Sequence, residues 1–283
     1  MEEIRQQFES NIMRWLDSDF ERELLKAAFD NLLIPGPIRF NNFAYAMREI
    51  IRHLTHRLAP EEQIKKCKWF KPEPNSSNGI SRAHRIRYAI QGGLSDYYLK
   101  NILEVDNIGP TIKELVKANE SLSKYTHIGE TTFGMPDDDV KRLAIECLKA
   151  VNYFTRHIEE CRCSIIEVLA TRIDDHVVNQ VISETISSID ELSTHHWVEE
   201  VDVSASEVSY IGPESITVIS KGTVGIELQY GSNSDLRSDM GVTISDSFPF
   251  EAELLFELKQ PIEQHGSVSN FGVNTDSFYG YDS

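Results

Sequence analysis

The sequence predicts an α+β fold, a helical N-terminal part followed by an antiparallel β-domain. Three observations carry this. Apolar residues recur every three or four positions from residue 4 to about residue 190, the period of helices that bury one face. Beyond His195-His196-Trp197 the rhythm changes to alternating runs rich in β-branched and aromatic residues. The two patterns occupy consecutive blocks rather than alternating, which argues against a βαβ layout. With 283 residues, 40% of them hydrophobic and 26% charged, the chain suffices for a true core in one large or two small domains.

Residues 2–33 read as one or two helices, with Ile4, Phe8, Ile12, Trp15 and Leu16 at helical spacing, stopped by Pro35-Gly36-Pro37. Phe40, Phe43, Met47, Ile50, Ile51, Leu54 and Leu58 then mark an amphipathic helix reaching Pro60. Residues 60–80, with three prolines and the run NSSNG, read as a loop broken by a short helix. Ser81 is placed as an N-cap for a helix through Gln91 that ends at Gly92-Gly93. Shorter helices are expected after Ser95 and over 111–124, completing a helical domain over residues 1–135.

Pro136 and Asp137–Asp139 open a second segment, residues 136–194, expected as one long helix or a stacked pair. Val140, Ala144, Cys147, Val151, Phe154, Ile158, Cys161 and Ile165 form a heptad seam. It serves either an intramolecular bundle core or self-association, and a homo-oligomer through residues 140–190 is expected. VDVSASEVSYI, SITVIS, TVGIELQY and FEAELLFELK predict four to six antiparallel strands over 195–262. Residues 263–283, rich in Gly, Ser and Asn, are expected to be a flexible tail.

The net charge of −17 speaks at first against a nucleic-acid partner, but it is unevenly distributed. Residues 52–87 hold nine basic and three acidic side chains, a local +6, whereas residues 197–283 hold fifteen acids and three bases, −12. Arg52, Arg57, Lys65, Lys66, Lys68, Lys71, Arg82, Arg85 and Arg87 form the basic island, with Trp69, Phe70 and Tyr88 among them. Cations that hold a phosphate backbone beside aromatics that stack on unpaired bases suit RNA or single-stranded DNA. A solvated helix face paired with acids of the same chain is the plainer alternative.

Four irregularly spaced cysteines suit reduced thiols of a cytoplasmic protein rather than a disulfide framework. MEEIRQQFES is charged from residue 2 and has no apolar run, so no secretory signal is expected, and no stretch suits a membrane span. No P-loop, dinucleotide fingerprint, G-x-S-x-G or H-E-x-x-H is present.

Arg48-Glu-Ile-Ile-Arg-His53 has an Arg-x4-His spacing that resembles the signature of HEPN ribonucleases, which are helical and metal-independent. That resemblance makes Arg48 and His53 the candidate catalytic pair, a cation stabilising the phosphorane and an imidazole moving the 2′-hydroxyl proton. Asn152-Tyr-Phe-Thr-Arg-His157 is a looser match with Asn in the Arg position. His157, Cys161 and Cys163 lie close in sequence, but zinc needs further ligands, and Cys161 suits the seam better. Glu257-Leu-Lys259 matches half of a restriction-type nuclease motif, which implies an Mg²⁺-dependent DNase as an alternative, with Asp239 or Asp246 as a further acid. Gly231–Asp239 reads as a polar turn with carboxylates four apart.

HRLAPEEQIKKCKWFKPEPNSSNGISRAHRIRYAIQGGLSD (residues 56–96) and TVGIELQYGSNSDLRSDMGVTISDSFPF (residues 223–250) resemble the predicted pPIWI-associating nucleases of prokaryotic defence neighbourhoods. The first phrase is similar to a helical module of that grouping, the second to a β-rich one. The resemblance implies an anti-phage defence protein acting on nucleic acid and supplies no catalytic residues. The expectation is therefore a metal-independent, RNase-like nuclease without a cofactor, able to contact a partner protein of the defence system. The rival is a non-catalytic oligomeric sensor or adaptor whose acidic β-domain recognises a protein.

Overall fold

A computed structural model of the chain describes residues 1–76, 78–183, 186–193 and 195–280. The chain divides into two compact units, Met1–Cys161 and Arg162–Ser283. The boundary between these units falls within one helix.

In the first unit, α1 (Glu2–Met13) buries Ile4, Phe8 and Ile12, one turn apart each. α2 (Asp19–Leu33) starts where the Ser18 hydroxyl accepts the Glu21 N–H at 3.1 Å. α3 (Arg39–Leu58) buries Phe40, Phe43, Met47, Ile50, Ile51 and Leu54, the stripe its spacing predicts. α2 and α3 pack on each other, and their buried residues build much of the core. After Pro60, α4 (Glu61–Lys66) buries only Ile64, and a loop leads to α5 (Arg82–Gln91).

α5 has the expected N-cap. Ser81 Oγ accepts the His84 N–H at 3.3 Å and His84 Nδ1 accepts the Ser81 N–H at 3.2 Å. It stops at Gly92, whose positive φ of 54° suits a residue without Cβ. α6 (Asp96–Asn101) and α7 (Gly109–Ser123, with Pro110 in its first turn) follow.

α8 (Asp137–Ser183) is a single helix of 47 residues whose three N-terminal aspartates complement the helix dipole. Val140, Ala144, Cys147, Val151, Phe154, Ile158, Cys161 and Ile165 are all buried within the chain. A heptad stripe specifies that something apolar covers it, not what. Here the chain itself does.

In the second unit, α9 (Ser187–Asp190) precedes β1 (His195–Ile211), β2 (Ser215–Tyr230), β3 (Val242–Glu257) and β4 (Gly266–Val273). A short α10 (Asn233–Arg237) lies between β2 and β3. The strands form one antiparallel sheet in the order β1-β2-β3-β4. Ile216, Val218, Ser220, Val224, Ile226 and Leu228 of β2 are buried, as are Phe248, Phe250, Ala252, Leu254 and Phe256 of β3. That alternation is the period of a sheet with one covered face. The His176 ring of α8 meets the Phe256 ring edge-on at 5.9 Å.

Two expectations are corrected here. SITVIS and TVGIELQY are one strand, because Gly222 does not turn the chain. A Cβ there would lie 1.8 Å from the Asp202 carbonyl and 2.7 Å from the Phe250 ring, so glycine serves close strand approach. The tail expected to be flexible contributes β4, which pairs with Phe250–Phe256 through Gly266, Ser267, Val268 and Asn270–Val273. Small and polar residues suit an edge strand as well as they suit a loop. Gly222→Ala is expected to cost at least about 1–3 kcal/mol by forcing strand separation, read as a lower urea midpoint at unchanged slope.

Candidate nuclease cleft

α3, the loop before α5, α5 itself and α7 enclose a cleft of about 610 Å³ within the first unit. α3 contributes Arg48, Arg52 and His56. These are spaced four apart, so successive residues differ by only about 40° around the helix. Arg48 Nη1 donates to Thr126 Oγ1 at 3.3 Å, while its Nε is buried with no partner among the described residues. Arg52 pairs with Glu49 at 2.7 Å.

α5 contributes Ser81, Arg82 and Arg85 at its N-terminal end. Arg85 is buried, donates to the Ala59 carbonyl at 2.8 Å and pairs with Glu61. Glu61 also accepts from Asn78 Nδ2 at 2.7 Å. The Asn78 bond, with Arg85 next, holds the Glu61 carboxyl below the usual carboxylate range. Arg82 is exposed at the cleft.

α7 contributes Leu115, Asn119 and Glu120, and Ile51, Ile80 and Ile86 add apolar wall. Asn119 is only 7% exposed, and its amide hydrogen-bonds to no described residue.

The lining charges cancel: Arg48, Arg52, Arg82 and Arg85 face Glu49, Glu61, Glu73 and Glu120. The +6 island therefore does not become a strongly positive cleft. His56 is held below its ordinary pKa, chiefly by burial of part of the ring and then by Arg85 and Arg52. It is thus a neutral imidazole at pH 7, with a lone pair available to take a proton.

The other sequence candidates lie elsewhere. His53 does not line the cleft. Its ring meets Phe20 edge-on at 5.7 Å, its Nδ1 is 4.0 Å from Glu21, and its Nε2 is 3.2 Å from Arg52 Nη2. Five residues span about 140° of a helix, so an Arg-x4-His spacing sends Arg48 and His53 to different neighbours. His56, one turn beyond Arg52, is the imidazole that lines the same cleft as Arg48. The i, i+4 spacing was the available signal.

Arg57 pairs with Asp17 at 2.7 Å, away from the cleft lining, and Lys65, Lys66, Lys68 and Lys71 are exposed. Arg87 pairs with Asp96 at 2.6 Å and lies 4.4 Å over the Trp69 ring. Trp69 and Phe70 are half-buried on a cluster of Ala59, Ile64, Cys67, Ile80 and Tyr88. The interleaved aromatics thus serve a local core.

His157 Nδ1 lies 3.0 Å from the Tyr153 carbonyl and 3.2 Å from Thr111 Oγ1, while Cys161 is core and Cys163 is exposed. Burial pushes the Cys67 and Cys147 thiols up to about 12. Glu257 pairs with Lys259, which lowers its pKa. The Asp235 carboxylate caps α10 through Ser232, while Asp239 follows that helix and Asp246 lies in β3. Among the described residues no three His, Cys, Asp or Glu side chains are grouped to hold a metal ion, and no helix is long and apolar enough to cross a membrane.

Residues 14–151 match one family model described as a predicted pPIWI-associating nuclease, and residues 158–279 match a second with the same description. The first match contains the cleft, and the second covers the β-sheet. No curated protein and no solved structure matches the chain.

The capping box at α5 makes the fold pH-sensitive. Burial lowers the His84 pKa below its ordinary 6.5, so the unfolded chain binds that proton more readily than the folded one. This contribution is complete above about pH 6.5 and is lost as pH falls through the lower folded-state value. His56 and His176 are shifted the same way by burial. The melting temperature is expected to fall between pH 7.5 and 5, with a shallower fall in His84→Gln, whose amide still accepts the Ser81 N–H. Ser81→Ala should cost about 1 kcal/mol.

Proposed function

This chain belongs to the predicted pPIWI-associating nucleases, and from that premise we propose that the α3–α5–α7 cleft is its nuclease site. One observation carries the reading: a neutral imidazole, His56, one helical turn from Arg52 in a cleft that also presents Arg48 and Arg82. Arg48 and Arg82, neither in a salt bridge among the described residues, are the phosphate ligands. His56 is the proton acceptor.

A lone imidazole base needs a nucleophile within the substrate, which makes RNA the fitting polymer. His56 takes the 2′-hydroxyl proton, O2′ bonds to phosphorus, and the P–O5′ bond breaks. The departing 5′ oxygen receives a proton from the imidazolium, leaving a 2′,3′-cyclic phosphate and a 5′-hydroxyl. Guanidiniums stabilise the charge that builds on the phosphorane oxygens. On this reading catalysis is metal-independent, and His53 supports the α2–α3 packing. The family's link to pPIWI favours a role in prokaryotic antiviral defence.

A second role, protein recognition by the β-sheet region, is favoured by the −12 charge of residues 197–283 and by Glu207, Glu251 and Glu253 on one sheet face.

In the presence of EDTA the purified protein is expected to cleave single-stranded RNA to cyclic-phosphate ends. His56→Ala should slow cleavage by about 10²–10⁴-fold, and His53→Ala should leave it near wild type. The rate should rise with pH through a value below 6.5 and then level, the sign of a base with a lowered pKa. Full activity in His56→Ala, or none with EDTA, would remove the assignment.

A further inference from the structure

We propose that the cleft reads one unpaired base of its substrate, an adenine, through the Asn119 amide. This rests on the cleft being the nuclease site and adds the substrate's identity at one position. Asn119 is nine-tenths buried, lines the cleft and has no hydrogen-bond partner among the described residues. The same lining includes the apolar side chains of Ile51, Ile80, Ile86 and Leu115. A cleft that offers both apolar side chains and an amide without a protein partner suits a flat heterocycle that needs a donor and an acceptor at its edge.

The phosphate end is also present. The first turn of α5 faces the cleft at Ser81, Arg82 and Ala83. The Ser81 and His84 N–H groups satisfy the capping box, which leaves those of Arg82 and Ala83 for an anion. Their Arg82 side chain adds charge at the same end. A volume of about 610 Å³ admits a nucleotide.

Four arginines against four glutamates give little general attraction for a polyanion, so selective affinity must come from the base. A side-chain amide pairs in two-point fashion with adenine, whose N6 donor lies beside an acceptor on two different edges. Its two rings also cover more of the apolar wall than a pyrimidine does. The base must leave its stack to enter, which selects single-stranded RNA.

Calorimetric titration with AMP, GMP, CMP and UMP tests this without relying on cleavage. AMP is expected to bind about tenfold tighter than the others. Asn119→Leu, similar in shape but without polar atoms, should bring AMP to their level. Asn119→Asp, which lacks the donor, should do the same, and it decides the matter if the Leu variant does not fold. Equal binding of all four, no binding, or a preference unchanged in either folded variant overturns the proposal. RNA cleavage by wild type with no base preference would leave the nuclease reading standing and remove this one. Adenine-selective binding by a protein whose cleavage ignores His56→Ala would do the reverse.

Discussion

The first unit depends on a buried guanidinium. Arg85 lies inside the fold, where its N–H groups meet the Ala59 carbonyl at the end of α3 and the Glu61 carboxylate at the start of α4. Glu61 reaches on to Asn78, whose own oxygen accepts the Ile80 N–H at 3.1 Å. This chain of bonds joins α5 to the α3–α4 corner and to the loop between α4 and α5. A charge at that depth is tolerable because a carboxylate and a carbonyl meet it, and losing either partner leaves the guanidinium to bear its desolvation cost. The cleft is the space left beside this anchor.

Charge is where sequence arithmetic and three-dimensional arrangement diverge. A segment can total +6 and still build a neutral cleft, because the folding chain chooses which charges meet. Arg85 is spent on Glu61, Arg52 on Glu49, Arg57 on Asp17 and Arg87 on Asp96. Glu120, far outside the island in sequence, arrives on α7. What remains at the cleft is a neutral imidazole, two arginines outside the salt bridges of the described residues and a buried amide.

Much of this was legible from spacing alone. The apolar stripe of α3, the Ser81 cap, the Gly92 stop and the length of α8 follow from local rules, which act between residues three or four apart. The imidazole at position 56 was also within reach of such a rule, since it lies four residues after Arg52 and eight after Arg48. The Arg-x4-His spacing instead pointed to His53, which a 100° step per residue turns toward Phe20 and Glu21. Asn119 carried no local signal. Its significance lies in burial without a partner, and that exists only once α7 packs against α3 and α5.

By itself the sequence determined the α+β class, the order of the elements and the family resemblance, because periodicity and phrase are properties of neighbours in the chain. Tertiary structure decided what covers the α8 seam, that Gly222 lies inside a strand and that residues from Gly266 pair with β3. It also decided which histidine enters the cleft and which arginines stay out of salt bridges. Each of these depends on contacts between residues distant in sequence, where burial and pairing set the energy of a group and composition does not.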